Sequence, residues 1–115
     1  EMNIFGDTLE EIIATLIEEN FLNEERFATQ FTLGKFRIKK WGKVRIKQEL
    51  KLRKISDYCI RTAMTQIEDE DYIQTLRHWI EKEKSLDDSP KEKFRLANFL
   101  LRKGFESELI WKELE

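Results

Sequence analysis

The chain has 115 residues, of which 40% are hydrophobic and 38% are charged, and its formal net charge is −2. This length allows one compact domain or a short repeat array with a shared core, and it excludes two independent enzyme domains. Eight Phe and three Trp exclude a disordered tail, and the single Cys excludes an internal disulfide framework. No segment approaches the roughly 18 to 20 consecutive apolar residues of a membrane span, and no secretory signal is present, so we expect a cytoplasmic protein.

Charge is distributed very unevenly along the chain. Residues 35–54 contain ten basic side chains against one acid, Glu49, whereas the rest of the chain contains 11 bases and 22 acids. The ten bases are Lys35, Arg37, Lys39, Lys40, Lys43, Arg45, Lys47, Lys51, Arg53 and Lys54. Such a segment can present a positive surface to a partner although the whole chain is slightly acidic.

The N-terminal part predicts two helices separated by a short break. Thr8 and Glu11 have capping-box spacing, and the apolar residues that follow recur on one face, which predicts a helix that Asn20 closes. Asn23 is placed to cap a second helix, which Gly42 interrupts.

The next two predicted helices complete a unit of three. One runs from about Lys43 to Arg53, and the other is capped by Ser56 or Asp57 and carries apolar residues at i, i+3, i+4 and i+7 from Ile60. Together with the helix that precedes them, they form a predicted three-helix unit over residues 23–68.

A second three-helix unit is predicted over residues 69–115. Its middle helix has the clearest start in the chain, with Ser89 as cap, Pro90 at the first helical position and Glu92 three residues after the cap. Gly104 ends that helix, because glycine tolerates the left-handed geometry after a helix C-terminus.

Residues 43–64 reappear in type fifty positions later as residues 93–114. The matched pairs are Lys43 and Lys93, Arg45 and Arg95, Ile46 and Leu96, Leu50 and Leu100, Ile55 and Phe105, Ile60 and Ile110, and Met64 and Leu114. Such a period indicates a repeat architecture. No window alternates as a strand does, so the predicted fold is all-α, an elongated array of tandem three-helix repeats.

In this repeat scheme, residues 1–22 are the last helix of a truncated first repeat. Its two missing helices would need about 35 to 45 residues before Glu1. We therefore expect this sequence to be a piece of a longer protein.

No catalytic or metal-binding constellation is present in the sequence. Cys59 and His78 are the only soft metal ligands, and neither has a partner at zinc-like spacing. Cys59 falls on Leu109 in the repeat register, which predicts a buried apolar role. His78 is predicted to be a surface or helix-packing residue. We expect a protein without enzymatic activity, cofactor or metal.

The ten bases of residues 35–54 are the candidate binding residues. Like charges at i, i+4 repel on a helix, so a run this one-sided is unusual for a merely solvated face. It could neutralise phosphates or meet an acidic protein surface, and the sequence leaves both open. Phe36 is predicted in the core, Trp41 could pack or stack on bases, and Arg45 could pair with Glu49 one turn away.

Three stretches of this sequence resemble the RecX family of bacterial recombination regulators, from about Thr8 onward. The first comprises Phe21, Leu22, Asn23, Glu24, Arg26, Phe27 and Ala28. The second comprises Gly42, Arg45, Ile46, Glu49, Leu50 and Ile55. The third comprises Phe99, Leu100, Arg102, Gly104, Phe105 and Ile110. The chain departs from the family at its start, because RecX proteins carry a complete first repeat.

This resemblance implies a non-enzymatic monomer that binds the groove of a RecA-type recombinase filament on single-stranded DNA, with possible direct contact to DNA. It also implies inhibition of the recombinase's ATPase, strand-exchange and coprotease activities, which limits recombination and the SOS response. It implies no membrane association. The ten bases are then the expected contacts to the filament or to its DNA.

The alternative is a stand-alone DNA-binding module in which Lys43 to Arg53 act as a recognition helix after the turn at Gly42. Such a helix normally offers Asn, Gln or Ser to base edges, and here only Gln48 is obvious. A scaffolding helical repeat is a third option. A stand-alone module should bind bare DNA, whereas a filament regulator should prefer recombinase that is already on DNA.

Overall fold

A computed structural model describes residues 2–115, with side chains from Leu9 onward. The elements are α1 (Met2–Gly34), a π-helical turn (Lys35–Lys39), α2 (Lys43–Leu52), α3 (Asp57–Met64), α4 (Asp69–Glu83), α5 (Pro90–Lys103) and α6 (Ser107–Leu114). Residues 2–115 contain no strand, which confirms the all-α prediction. The molecule is elongated, with extents of 79 × 20 × 19 Å.

Helix α1 is continuous, so the predicted break between Asn20 and Asn23 is wrong. The helix already begins at Met2, so Thr8 does not start it, and its capping box with Glu11 lies outside the described side chains. Asn favours helix ends, but no Gly or Pro lies between Thr8 and Gly34 to force the chain out of the helix. No helix in residues 2–115 is long and apolar enough to cross a bilayer.

The fifty-residue register between α2 and α5 holds in three dimensions. Leu50 and Leu100 are both fully buried. The Leu50 carbonyl accepts a hydrogen bond from the Ile55 N–H at 3.1 Å, and the Leu100 carbonyl accepts one from Phe105 at 3.2 Å. These matching bonds close both helices in the same way, with the residue before each donor at positive φ.

Local capping signals set the ends of the shorter helices as the sequence predicts. The Ser56 hydroxyl accepts a hydrogen bond from Cys59 N–H at 3.3 Å, and the Ser89 hydroxyl accepts one from Glu92 N–H at the same distance. Gly104 follows α5 with φ of 101°. Short-range chemistry therefore determines these helix boundaries.

One apolar core runs through both three-helix units. Its largest fully buried side chains include Phe105, Ile46, Leu50, Leu76, Leu100 and Ile110, together with the thiol of Cys59. The burial of Cys59 confirms its predicted apolar role. The two units therefore share one core and support each other, as expected for adjacent repeats.

The π-helical turn ends in a left-handed residue, Lys40, with φ of 56°. This conformation costs a non-glycine residue roughly 1 to 2 kcal/mol. The Trp79 indole N–H donates to the Lys40 carbonyl oxygen at 2.8 Å, and the Lys40 N–H donates to the Lys35 carbonyl. Both bonds hold the chain in this turn, which redirects it from α1 into α2.

The N-terminus of α2 is capped by the next unit rather than by its own N-cap, Gly42, which has no side chain to accept a bond. The Lys43 N–H donates to the Tyr72 hydroxyl oxygen at 2.9 Å, and the Val44 N–H donates to the Gly104 carbonyl oxygen at the same distance. Tyr72 in turn donates its hydroxyl proton to Glu106. Burial, followed by this bond to Glu106, raises the pKa of Tyr72, so the phenol keeps its proton.

Gly42 and Gly104 approach each other too closely for any side chain. The Gly42 N–H donates to the Lys103 carbonyl oxygen at 2.8 Å. A Cβ added at Gly42 would lie 2.2 Å from the Gly104 oxygen, and one at Gly104 would lie 2.3 Å from the Arg45 Cβ. Glycine is required at both positions because backbone meets backbone at this junction.

Substitution of the matched core leucines tests the repeat register. Leu50→Ala and Leu100→Ala should each lower the free energy of unfolding by about 2 to 5 kcal/mol, because both leave a cavity in a fully buried site. Lys47→Ala, on the exposed face of α2, should change it by less than about 0.5 kcal/mol. Chemical denaturation measures all three, and equal losses for Lys47 and Leu50 would contradict the assigned helix face.

Alanine substitution of two glycines tests the junction. Gly42→Ala should destabilise the protein by about 1 to 3 kcal/mol, because the new methyl group collides with rigid backbone. Gly34→Ala is the matched control, since nothing lies within 4 Å of its added Cβ and its φ of −63° is helical. The control should be neutral or gain up to about 1 kcal/mol. Thermal or urea unfolding measures the stability of both variants. Equal stability of the two would contradict the close backbone contact.

Candidate partner-binding surface

The structure places the ten predicted binding residues along the path from α1 to α3. The π-helical turn carries Lys35, Arg37 and Lys39, and the loop after it carries Lys40. Helix α2 carries Lys43, Arg45, Lys47 and Lys51, and the turn after it carries Arg53 and Lys54. They do not form one uniform face but fall into three groups with different surroundings.

The first group stacks on two aromatic rings and is called the aromatic–basic cluster: Lys35, Arg45 and Arg53 with Phe31 and Trp41. The Arg45 guanidinium lies 4.0 Å from the centre of the Trp41 ring, and the Arg53 guanidinium lies 4.7 Å from that of Phe31. The Lys35 ammonium lies within reach of both rings, at 4.9 Å from Trp41 and 5.5 Å from Phe31. Cation–π attraction holds these three charges in defined positions.

Glu49, the single acid of the segment, pairs with Arg53 and not with Arg45. The Arg53 Nη1 to Glu49 Oε2 distance is 3.0 Å, and the same nitrogen donates to the Glu49 carbonyl oxygen. Arg45 instead lies over Trp41 and donates to the Arg102 carbonyl oxygen at 3.4 Å. Its predicted pair with Glu49 is wrong because Trp41 draws the guanidinium toward the junction of the two units.

The second group, Arg37, Lys40 and Lys43, faces α4. The Lys43 ammonium lies 4.6 Å from the centre of the Tyr72 ring. Arg37 and Lys40 line a shallow cleft of about 370 Å³ together with Gln74 and His78 of α4. The lining of this cleft also includes the acidic side chain of Asp71 and the ring of Phe36.

The third group consists of Lys39, Lys47, Lys51 and Lys54, whose side chains are exposed. Among the side chains described from Leu9 onward, none of these four is within ion-pair distance of an acid. They carry uncompensated positive charge into solvent. A partner can therefore meet them without first breaking an ion pair.

The two aromatic residues of the segment have different roles. Phe36 is 6% exposed and belongs to the core, which confirms its predicted packing role. Trp41 is half-buried, and Arg45 and Lys35 both lie over its ring. This arrangement leaves Trp41 less able to stack on nucleic-acid bases and makes it the support of the aromatic–basic cluster.

Sequence reasoning missed a second set of stacked cations in the C-terminal unit. The Lys103 ammonium lies 4.6 Å from the Trp79 ring centre and 5.5 Å from that of Phe99, and Lys82 lies 5.4 Å from Trp79. Lys103 follows Arg53 by fifty positions, so the repeat register carried the signal. The more even mixture of acids and bases in the C-terminal half drew attention away from it.

His78 lies on the exposed face of α4, as predicted, with its ring 6.0 Å from that of Trp79. In the part of the chain that the structure describes, no three His, Cys, Asp or Glu side chains are grouped to hold a metal ion. The chemistry that the surface offers is binding through charge and apolar contact.

Fold and surface together define a tandem three-helix repeat protein with one strongly basic segment. The sequence pattern of the second three-helix domain of RecX matches residues 23–64, and that of the third three-helix domain matches residues 69–114. The chain belongs to the RecX family.

Curated relatives carry the name Regulatory protein RecX. That of Halalkalibacterium halodurans is 30% identical over 89% of this chain and 40% of its own length. That of Chromobacterium violaceum is 31% identical over 92% of this chain and 69% of its own, and that of Salmonella paratyphi A is 30% identical over 97% and 69%. The chain thus spans between two fifths and about two thirds of these relatives. No solved structure gives a significant match.

Proposed function

We propose that this protein is a non-enzymatic regulator that binds a RecA-type recombinase filament on single-stranded DNA in the cytoplasm. Binding lowers the recombinase's ATPase, strand-exchange and coprotease activities and so limits recombination and the SOS response. The observation that carries the proposal is the basic segment 35–54, which lies within the part of the chain matched by the second RecX domain.

The charge on this segment suits a filament that contains nucleic acid. The four exposed lysines can neutralise phosphates or acidic side chains, while the aromatic–basic cluster keeps three more cations fixed nearby. Fixed cations lose less conformational freedom on binding than mobile ones. The segment is therefore prepared for an extended anionic partner.

The shape of the molecule also supports binding to an assembly of repeating subunits. Its length of 79 Å is more than twice the roughly 30 Å diameter of a small domain. A body of this length can contact neighbouring subunits at once. It inhibits if it binds the inactive arrangement of those subunits more tightly than the active one. Capping of a growing filament end would be another route to the same inhibition.

Charge reversal on the exposed lysines tests the proposal. Lys39→Glu, Lys47→Glu and Lys51→Glu together should raise the protein concentration needed for half-inhibition of the recombinase ATPase at least about tenfold. The side chains of these three lysines are exposed, so the fold should remain intact. A circular dichroism spectrum and a melting temperature equal to those of the unaltered chain would verify that the fold is intact.

The matched control reverses three exposed bases outside the segment: Arg61→Glu, Lys91→Glu and Lys112→Glu. Both triple variants change the net charge equally, so a difference between them reports position and not total charge. The control should inhibit like the unaltered chain. The proposal fails if the segment variant inhibits at the original concentration, and a stand-alone DNA-binding module would instead bind bare DNA with a steep salt dependence.

A further inference from the structure

A groove of about 290 Å³ lies between the outer faces of α2 and α5, where the two three-helix units meet. Its lining includes Val44, Arg45, Gln48, Leu52, Leu101 and Arg102. Three of these are exposed aliphatic side chains, with 38% of Val44, 77% of Leu52 and 44% of Leu101 open to solvent. Single exposed apolar residues are ordinary on a protein surface, whereas these three share one groove.

The groove is positively charged. Arg45 crosses the boundary between the units, since it stacks on Trp41 and donates to the Arg102 carbonyl oxygen. The one acid in the lining is Glu49, and its carboxylate is paired with Arg53 at 3.0 Å. An incoming carboxylate therefore meets two guanidinium groups and no unpaired acid of the groove.

The combination favours protein over nucleic acid as the occupant. Single strands bind by stacking bases on aromatic rings, and this lining has none. Aliphatic side chains flanked by arginines suit a protein segment that carries both apolar and acidic residues, because carboxylates form paired hydrogen bonds with guanidinium groups.

We propose that this groove binds an acidic segment of a partner protein. Apolar side chains of that segment lie against Val44, Leu52 and Leu101, and its carboxylates pair with Arg45 and Arg102. The inference rests on the proposed function only in taking the partner to be a protein. It assigns a protein contact to the junction of the units, beside the exposed lysines.

A peptide titration tests the groove directly. The probe is a synthetic Glu-rich peptide with two Leu residues one helical turn apart, added to the ¹⁵N-labelled chain. Amide signals of Val44, Gln48, Leu52 and Leu101 should shift together. A matched peptide with Ser at both Leu positions should bind at least about tenfold more weakly, because it loses the apolar contact.

Three results of the titration would overturn the inference. One is the absence of shifts at the groove with the Leu peptide, and another is equal binding of the Ser peptide. The third is the same pattern of shifts with a single-stranded oligothymidine, which would assign the groove to nucleic acid.

Substitutions in the groove provide a second test of the inference. Leu52→Ser combined with Leu101→Ser should weaken peptide binding at least about tenfold, since both remove exposed side chains that the core does not need. Leu86→Ser, in the loop between α4 and α5, is the control, because Leu86 is fully exposed and lies outside the groove. Equal peptide binding by both variants would overturn the inference.

Recombinase inhibition separates this inference from the proposed function. A chain that binds the Leu peptide in the groove but leaves the recombinase ATPase unchanged would overturn the proposed function and retain the groove. A chain that inhibits the ATPase but shows no shifts at the groove would overturn the groove inference and retain the proposed function.

Discussion

Helix α2 begins with hydrogen bonds to a different repeat. The N–H groups of Gly42 and Val44 donate to the carbonyl oxygens of Lys103 and Gly104, and that of Lys43 donates to Tyr72. The first N–H groups of a helix need partners from outside the helix, and here the following unit supplies them. Because the two backbones meet where neither glycine has a side chain, the position of α2 is fixed relative to α5.

The candidate surfaces follow from this contact. The groove between α2 and α5 exists only while the two helices keep their relative position, since its walls come from both units. The aromatic–basic cluster depends on the same junction, because Arg45 reaches both Trp41 and the Arg102 carbonyl. The groove and the position of Arg45 therefore depend on the interface between the repeats, whereas the four exposed lysines belong to the first unit alone.

Sequence predicted the parts of the fold that depend on local chemistry. The helix caps at Ser56 and Ser89, the end of α5 at Gly104 and the matched cores at Leu50 and Leu100 all follow from spacing and residue type. The break at Asn20 failed because a capping preference of about 1 kcal/mol does not end a helix without a breaker residue. A capping residue therefore marks where a helix can end but does not by itself end it.

The candidate site was predictable in composition but not in arrangement. The ten bases were evident from the charge count, whereas their division into three groups depends on the π-helical turn and on which ring each cation reaches. Arg102 joins the site across fifty-seven residues through its contact with Arg45, a separation that no local pattern reports. Lys103 could have been predicted from its match to Arg53, because the repeat register extends to surface positions.

We expect the junction to hold the two units as one rigid body. Residual dipolar couplings of backbone N–H groups, measured in a weakly aligned sample, test it most directly. Couplings from α2 and α3 and those from α4, α5 and α6 should fit a single alignment tensor with the orientations of this structure. Two different tensors for the two sets, as for units joined by a flexible link, would contradict the account.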